Sequence, residues 1–194
     1  MKDPSVDVNK RWFLTKTASV MGAIGTVTVA MPFLASMQPS AKAQAAGAPV
    51  EVDISKLEVG QKITVLWRSK PVWILRRSPD SVRALASLSS VLRDPNSEES
   101  EQPLPAKNEY RALRDEFFVA LAICTHLGCA PTYRPEHGPA DLGADWIGGF
   151  FCPCHGSKFD LAGRVYKSVP APKNLEIPPH HYLDEKRILI GENA

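Results

Sequence analysis

All four cysteines of this 194-residue chain lie in two short clusters. The first reads Cys124-Thr125-His126-Leu127-Gly128-Cys129, and the second reads Cys152-Pro153-Cys154-His155-Gly156-Ser157. Each offers two thiols and one imidazole, while a four-coordinate metal or a two-iron cluster needs only four protein ligands in all. Two plain disulfides would use the thiols and leave both histidines unexplained. Structural zinc prefers C-x-x-C or longer His spacings, which C-x-H and C-x-C-H match poorly. A c-type haem needs C-x-x-C-H, and Cys152-Pro153-Cys154-His155 is one residue short. The remaining chemistry is a 2Fe–2S cluster with His126 and His155 on one iron and two cysteines on the other. On that reading Cys124 and Cys152 are the ligand thiols. Cys129 and Cys154 are left over, one per loop, and can join if the loops lie side by side.

The elements that must position these loops read as strands. Segments 50–54, 62–67, 72–76, 117–123, 146–152, 163–166 and 187–190 are β-branched or aromatic and bounded by Gly, Pro, Asp or Ser. Asp184-Glu185-Lys186 reads as a hairpin turn. One short helix is expected: Ser78 is a fair N-cap, Pro79 suits the first helical position, and Val82, Leu85 and Leu88 follow at helical spacing. Segment 94–108 is polar, acidic and Pro-bearing, and reads as a surface excursion with no role beyond solvation, a partner contact being the alternative. The fold class is all-β: an antiparallel sandwich head with one short helix.

No residue between Lys16 and Lys42 is charged. Segment 18–37 is long enough, at ~30 Å as a helix, to cross a bilayer's hydrocarbon core. Lys2, Lys10, Arg11 and Lys16 flank it on the N-terminal side, which puts residues 1–17 in the cytoplasm and the head outside. Ala41-Lys42-Ala43 and Ala43-Gln44-Ala45 look like signal-cleavage sites, but the apolar run exceeds the ~7–15 residues of a signal h-region, so a retained anchor is favoured. Residues 38–49 are small, polar and Ala-rich, a flexible hinge leading to the head at 50–194. The formal net charge is only +2, which gives no basic face for nucleic acid.

The pair CTHLGC and CPCHGS resembles the Rieske iron–sulfur subunit of respiratory ubiquinol–cytochrome c reductase, the cytochrome bc complex. The resemblance covers most of the chain, because a basic N-terminus, one anchor, an Ala-rich hinge and a β head all recur. Simpler Rieske ferredoxins lack the extra cysteine in each loop. The resemblance implies one 2Fe–2S cluster held by Cys124, His126, Cys152 and His155, with a disulfide between Cys129 and Cys154. It implies a hydroxyl contact from Ser157 that raises the potential, and a proline loop at Pro170-Ala171-Pro172 covering the cluster. His155 would meet ubiquinol, with His126 close by, and Leu127 would pack on the membrane partner. Where the family often has a tyrosine, this chain has Phe159, which implies a lower potential. His137, His180 and His181 read as surface or structural residues.

The implied partners are cytochrome b and a c-type cytochrome, in a complex that is a homodimer of heterotrimers in the bacterial inner membrane, with the head in the periplasm. Asn9-Lys10-Arg11-Trp12-Phe13-Leu14-Thr15 resembles a twin-arginine export motif, with Lys10 at the first arginine. That route suits a head that folds around its cluster before export. The alternatives are the Rieske subunit of another exported oxidoreductase, such as arsenite oxidase, or a tethered zinc or disulfide binding module.

Overall fold

The structure is a computed structural model that describes residues 7–41, 43 and 47–193. The chain divides into two units, residues 1–45 and 46–194. Within the hinge expected at 38–49, residues 42 and 44–46 lie outside the described residues, as do residues 1–6 of the N-terminus.

The first unit contains one long helix, α1, Val8–Ser36. It starts ten residues before the apolar segment because Asp7 caps it. The Asp7 carboxylate accepts from the backbone N–H groups of Asn9 at 3.0 Å and Lys10 at 3.2 Å. The export-like motif therefore lies inside the helix. At 29 residues α1 is long and apolar enough to cross a membrane. Its hydroxyls suit that setting. Ser19, Thr26 and Thr28 each donate to the carbonyl one turn back, at 2.8–2.9 Å, so these three donors are paired within the helix.

The second unit holds three antiparallel three-stranded sheets. One is ordered β1 (Val50–Asp53), β9 (Arg187–Ile190), β8 (His180–Tyr182). A second is β2 (Lys62–Trp67), β3 (Lys70–Arg76), β4 (Phe117–Leu121). The third is β5 (Thr132–Arg134), β6 (Gly149–Cys152), β7 (Ser157–Asp160). The second sheet is buried on both faces, because alternate side chains point to opposite sides of a strand. Val72, Ile74, Phe117, Val119 and Leu121 join Ile188 and Ile190 in one core. Trp73, Leu75, Phe118 and Ala120 join Phe150, Phe159, Cys124 and Cys152 in the other. The site therefore rests on the second core, and the sandwich expected from sequence has a shared middle sheet.

The expected strands at 62–67 and 187–190 are observed with the same bounds. Segment 163–166 forms only isolated bridges, Phe159 to Val165 and Leu92 to Tyr166. Gly163 has φ +67°, which breaks extended backbone there. The strands β5, β7 and β8 lack a β-branched run and are ordered by their partners. Helix α2, Pro79–Ala84, begins as expected, with the Ser78 hydroxyl accepting from Ser81 N–H at 3.1 Å. It tightens into a 3-10 turn at Leu85–Leu88, whose two leucines are buried. The turn at 184–186 closes the β8–β9 hairpin, with Leu183 N–H on the Arg187 carbonyl at 3.0 Å.

The excursion at 94–108 departs from its expected role. Asp94 and Ser97 are buried, not solvated. The Asp94 carboxylate is consumed by hydrogen bonds to its own loop, which makes its burial affordable.

Candidate iron–sulfur centre

Two loops meet because the strands that carry them face each other across one core. Cys124 follows β4 closely, and Cys152 ends β6. Phe150 of β6 stacks on Trp73 with ring centroids 4.8 Å apart, and it tilts against Phe118 of β4 at 5.8 Å. This aromatic cluster fixes the spacing of the two strands, and hence of the loops at their ends.

The loops share one internal plan. Gly128 N–H bonds the Cys124 carbonyl and Gly156 N–H bonds the Cys152 carbonyl, both at 2.9 Å. Both glycines are left-handed, with φ +81° and +77°, a conformation that other L-residues adopt only with strain. In the first loop Cys124 N–H also bonds the Cys129 carbonyl at 2.8 Å. Cys129 and Cys154 form a disulfide, with Cα atoms 6.7 Å apart, that ties the loops together.

Cys124 and Cys152 are free thiols, both buried. The sulfurs of Cys129, Cys152 and Cys154 lie within 4.8 Å of one another, but two of them are spent on each other. Burial pushes the Cys124 thiol up, and the neighbouring Cys152 adds to this, while backbone at His126 and the Ser157 hydroxyl pull the other way. Binding a metal at these thiols therefore releases protons.

The rings of His126 and His155 stand edge to face, centroids 4.8 Å apart at 88°. Nδ1 of His126 is buried and has no hydrogen-bond partner among the described residues. A buried ring nitrogen left bare is costly unless something binds it, and a metal does. Two free thiols and two adjacent imidazoles match the donor set of a mixed-ligand 2Fe–2S cluster. His155 is exposed, and Leu127 is 70% exposed at the tip of the first loop.

A third segment closes over the loops. Ala171, in Pro170-Ala171-Pro172, is fully buried, and its N–H donates to Ser157 Oγ at 3.1 Å. Thr125 Oγ1 donates to the Lys173 carbonyl at 2.6 Å. Neither contact was legible in sequence, because each spans a long stretch of chain. Phe159 is fully buried in the same core as both free thiols. The other three histidines lie away from the cysteine loops in sequence. His180 is buried in β8 with Nδ1 on the Pro178 carbonyl at 2.9 Å. His181 points Nδ1 at the Glu192 carbonyl at 3.4 Å, and His137 is exposed after β5.

The family model described as the Rieske 2Fe-2S domain matches residues 91–179. A second, described as the ubiquitinol-cytochrome C reductase Fe-S subunit TAT signal, matches residues 1–40. The ubiquinol-cytochrome c reductase iron-sulfur subunit of Allochromatium vinosum is 57% identical over 193 residues, covering 100% of this chain and 93% of the relative. The subunit of the same name from Blastochloris viridis is 39% identical, covering 96% of this chain and 95% of the relative. Among solved structures, a chain of a hyperthermophilic respiratory Complex III has a TM-score of 0.50 at 24% identity, covering 90% of this chain and 98% of that one, which supports the fold. Full-length similarity at this level, with a Rieske domain laid over both cysteine–histidine loops, shows that the chain belongs to the 2Fe–2S-bearing Rieske iron–sulfur subunits of the oxidoreductase ubiquinol–cytochrome c reductase.

Proposed function

We propose that the head takes one electron and one proton from ubiquinol at cytochrome b and passes the electron to a c-type cytochrome. The observation that carries this reading is the His126–His155 pair, which presents two adjacent imidazoles beside two buried free thiols. Cys124, Cys152, His126 and His155 would hold the 2Fe–2S cluster, two thiolates and two imidazoles in all. The cluster so held supplies a one-electron acceptor of raised potential, because two neutral imidazoles replace two thiolates.

The remaining work belongs to the chain's own groups. An imidazole has two ring nitrogens, so a histidine bound through one would keep the other to carry a proton close to the electron's destination. His155 is the exposed ring and meets the quinol hydroxyl. Leu127 offers an apolar contact to the membrane partner. The disulfide and the buried Ala171 backbone keep water from the thiols.

The chain lies in the bacterial inner membrane. Helix α1 anchors it with the basic end cytoplasmic, and the head stands in the periplasm. Export follows the twin-arginine route, with the head already folded around its cluster. Residues 38–49 act as the hinge that lets the head reach both partners, within a homodimer of heterotrimers.

Low-temperature EPR on the purified complex tests the reading. A rhombic signal with average g below the free-electron value, present after ascorbate alone, is expected, together with copurified cytochrome b. A signal only with dithionite, or copurification with a molybdenum enzyme instead, would overturn it. Proline substitutions within 38–49 are expected to slow ubiquinol–cytochrome c turnover and leave the EPR signal unchanged. Full turnover in those variants would sink the hinge role.

A further inference from the structure

The buried Asp94 lies far along the chain from both cysteine loops, yet hydrogen bonds lead from it to Asn174, in the segment that continues from the proline loop. Its carboxylate accepts from Glu98 N–H at 2.7 Å, Glu99 N–H at 3.2 Å and the Ser100 hydroxyl at 2.6 Å. Ser100 Oγ in turn accepts from the backbone N–H of Asn174 at 3.1 Å. The Asn174 side chain is fully used: Nδ2 donates to the Asp94 carbonyl at 2.9 Å and to Ser97 Oγ at 3.1 Å, and Oδ1 accepts from Val165 N–H at 2.8 Å. Asn174 stands three residues after Ala171. Between them the chain is further held at Lys173 by Thr125. The consequence falls on Ser157. Because Ala171 N–H donates to Ser157 Oγ, the serine's own hydrogen is left to point elsewhere. Ser157 stands directly opposite the free thiol Cys152 in the β6–β7 register, which sets its hydroxyl beside the cysteine loops.

We infer that Asp94 is a positioning residue for the cluster: through Ser100 and Asn174 it holds Ala171 on Ser157 and so fixes the direction of the serine hydroxyl. This rests on the ligand assignment proposed above. The loop at 94–101 is then part of the redox site, although none of its residues belongs to the cysteine–histidine motif. A purely structural role for Asp94 would change stability and leave the potential alone. A positioning role moves the potential, because a hydroxyl aimed at a ligand sulfur stabilises the reduced, more negative state more than the oxidised one.

The test is redox titration of the EPR signal in the intact membrane complex. Asp94→Ala is expected to lower the midpoint, by up to about tenfold in the reduction equilibrium, or ~59 mV for a one-electron couple. Ser100→Ala is expected to shift it the same way by less, and Ser100→Thr, which keeps the hydroxyl, to restore it. In a Ser157→Ala background, Asp94→Ala is expected to add no further shift, since the two act on one contact. Amide hydrogen exchange at Ala171 is expected to accelerate in Asp94→Ala. A loaded Asp94→Ala protein with an unchanged midpoint overturns the inference, as does an equal drop in the Ser157→Ala background. If Asp94→Ala does not load, Ser100→Ala decides, and an unmoved midpoint there overturns it. Failure of the ligand assignment would show differently, as a wild-type complex without the high-potential signal.

Discussion

Gly128 and Gly156 are the same corner built twice. Each stands four residues after a free thiol, bonds that cysteine's carbonyl at 2.9 Å, and has φ near +80°. A Cβ at either position would meet nothing within 4 Å, so the cost of a side chain there is conformational alone. Gly128→Ala and Gly156→Ala are each expected to destabilise the head by roughly 1–2 kcal/mol, read by thermal denaturation. Gly149→Ala is a contrasting case, because its Cβ would run into the Phe159 carbonyl oxygen. That variant is expected to fail to accumulate as folded protein.

Phe159 is fully buried beside the free thiols. Phe159→Tyr adds one donor to that environment. The midpoint is expected to rise by up to about tenfold in the reduction equilibrium, the worth of one hydrogen bond. Redox titration with an unchanged midpoint, in a protein that still folds, would show that the hydroxyl does not reach a ligand sulfur.

The Cys129–Cys154 disulfide closes a sequence separation of 25 residues. Replacing both cysteines by serine is expected to cost about 3 kcal/mol through the freer unfolded chain. Because the disulfide also joins the two loops, cluster occupancy is expected to fall with it. Denaturant unfolding together with iron content per chain reads both effects.

Asp160 and Arg164 form an ion pair at 2.7 Å that is almost wholly buried. Asp160 also accepts from the N–H groups of Ala162 and Arg164, at 2.9 and 2.8 Å. The pair holds the turn between β7 and the segment that leads to the proline loop. Asp160→Asn keeps the shape and removes the charge, leaving a buried guanidinium unpaired. The expected loss is ~3–5 kcal/mol in chemical denaturation. Removing both charges by Asp160→Asn with Arg164→Met is expected to cost less than the single change.

Burial holds His180 below its ordinary pKa of 6.5. The unfolded chain therefore binds this proton at a higher pH than the native head does, so stability falls as pH drops through about 6.5. The slope from this one group is at most ~1.4 kcal/mol per pH unit. Unfolding measured between pH 7.5 and 5.5 is expected to show that decline. His180→Phe is expected to flatten it, and an equal slope in the variant would assign the effect to other groups.

The sequence by itself determined the elements with local causes. The apolar run makes α1 long, Ser78 and Pro79 start α2, and β-branched residues make β2 and β9. The pairing of C-x-H with C-x-C-H also narrowed the chemistry, because few cofactors use two thiols and two imidazoles together. Tertiary structure decided what depends on distant segments. Asp94 reads as a solvated acid in sequence and becomes a buried hub, because its partners Ser100 and Asn174 arrive only with the folded chain. Strands β5, β7 and β8 carry weak local preference and exist because β6 and β9 offer them ladders. The middle sheet's burial on both faces likewise needs the other two sheets in place. Local preferences are encoded within a few residues, whereas the value of a long-range contact appears only once loop closure has brought its ends together.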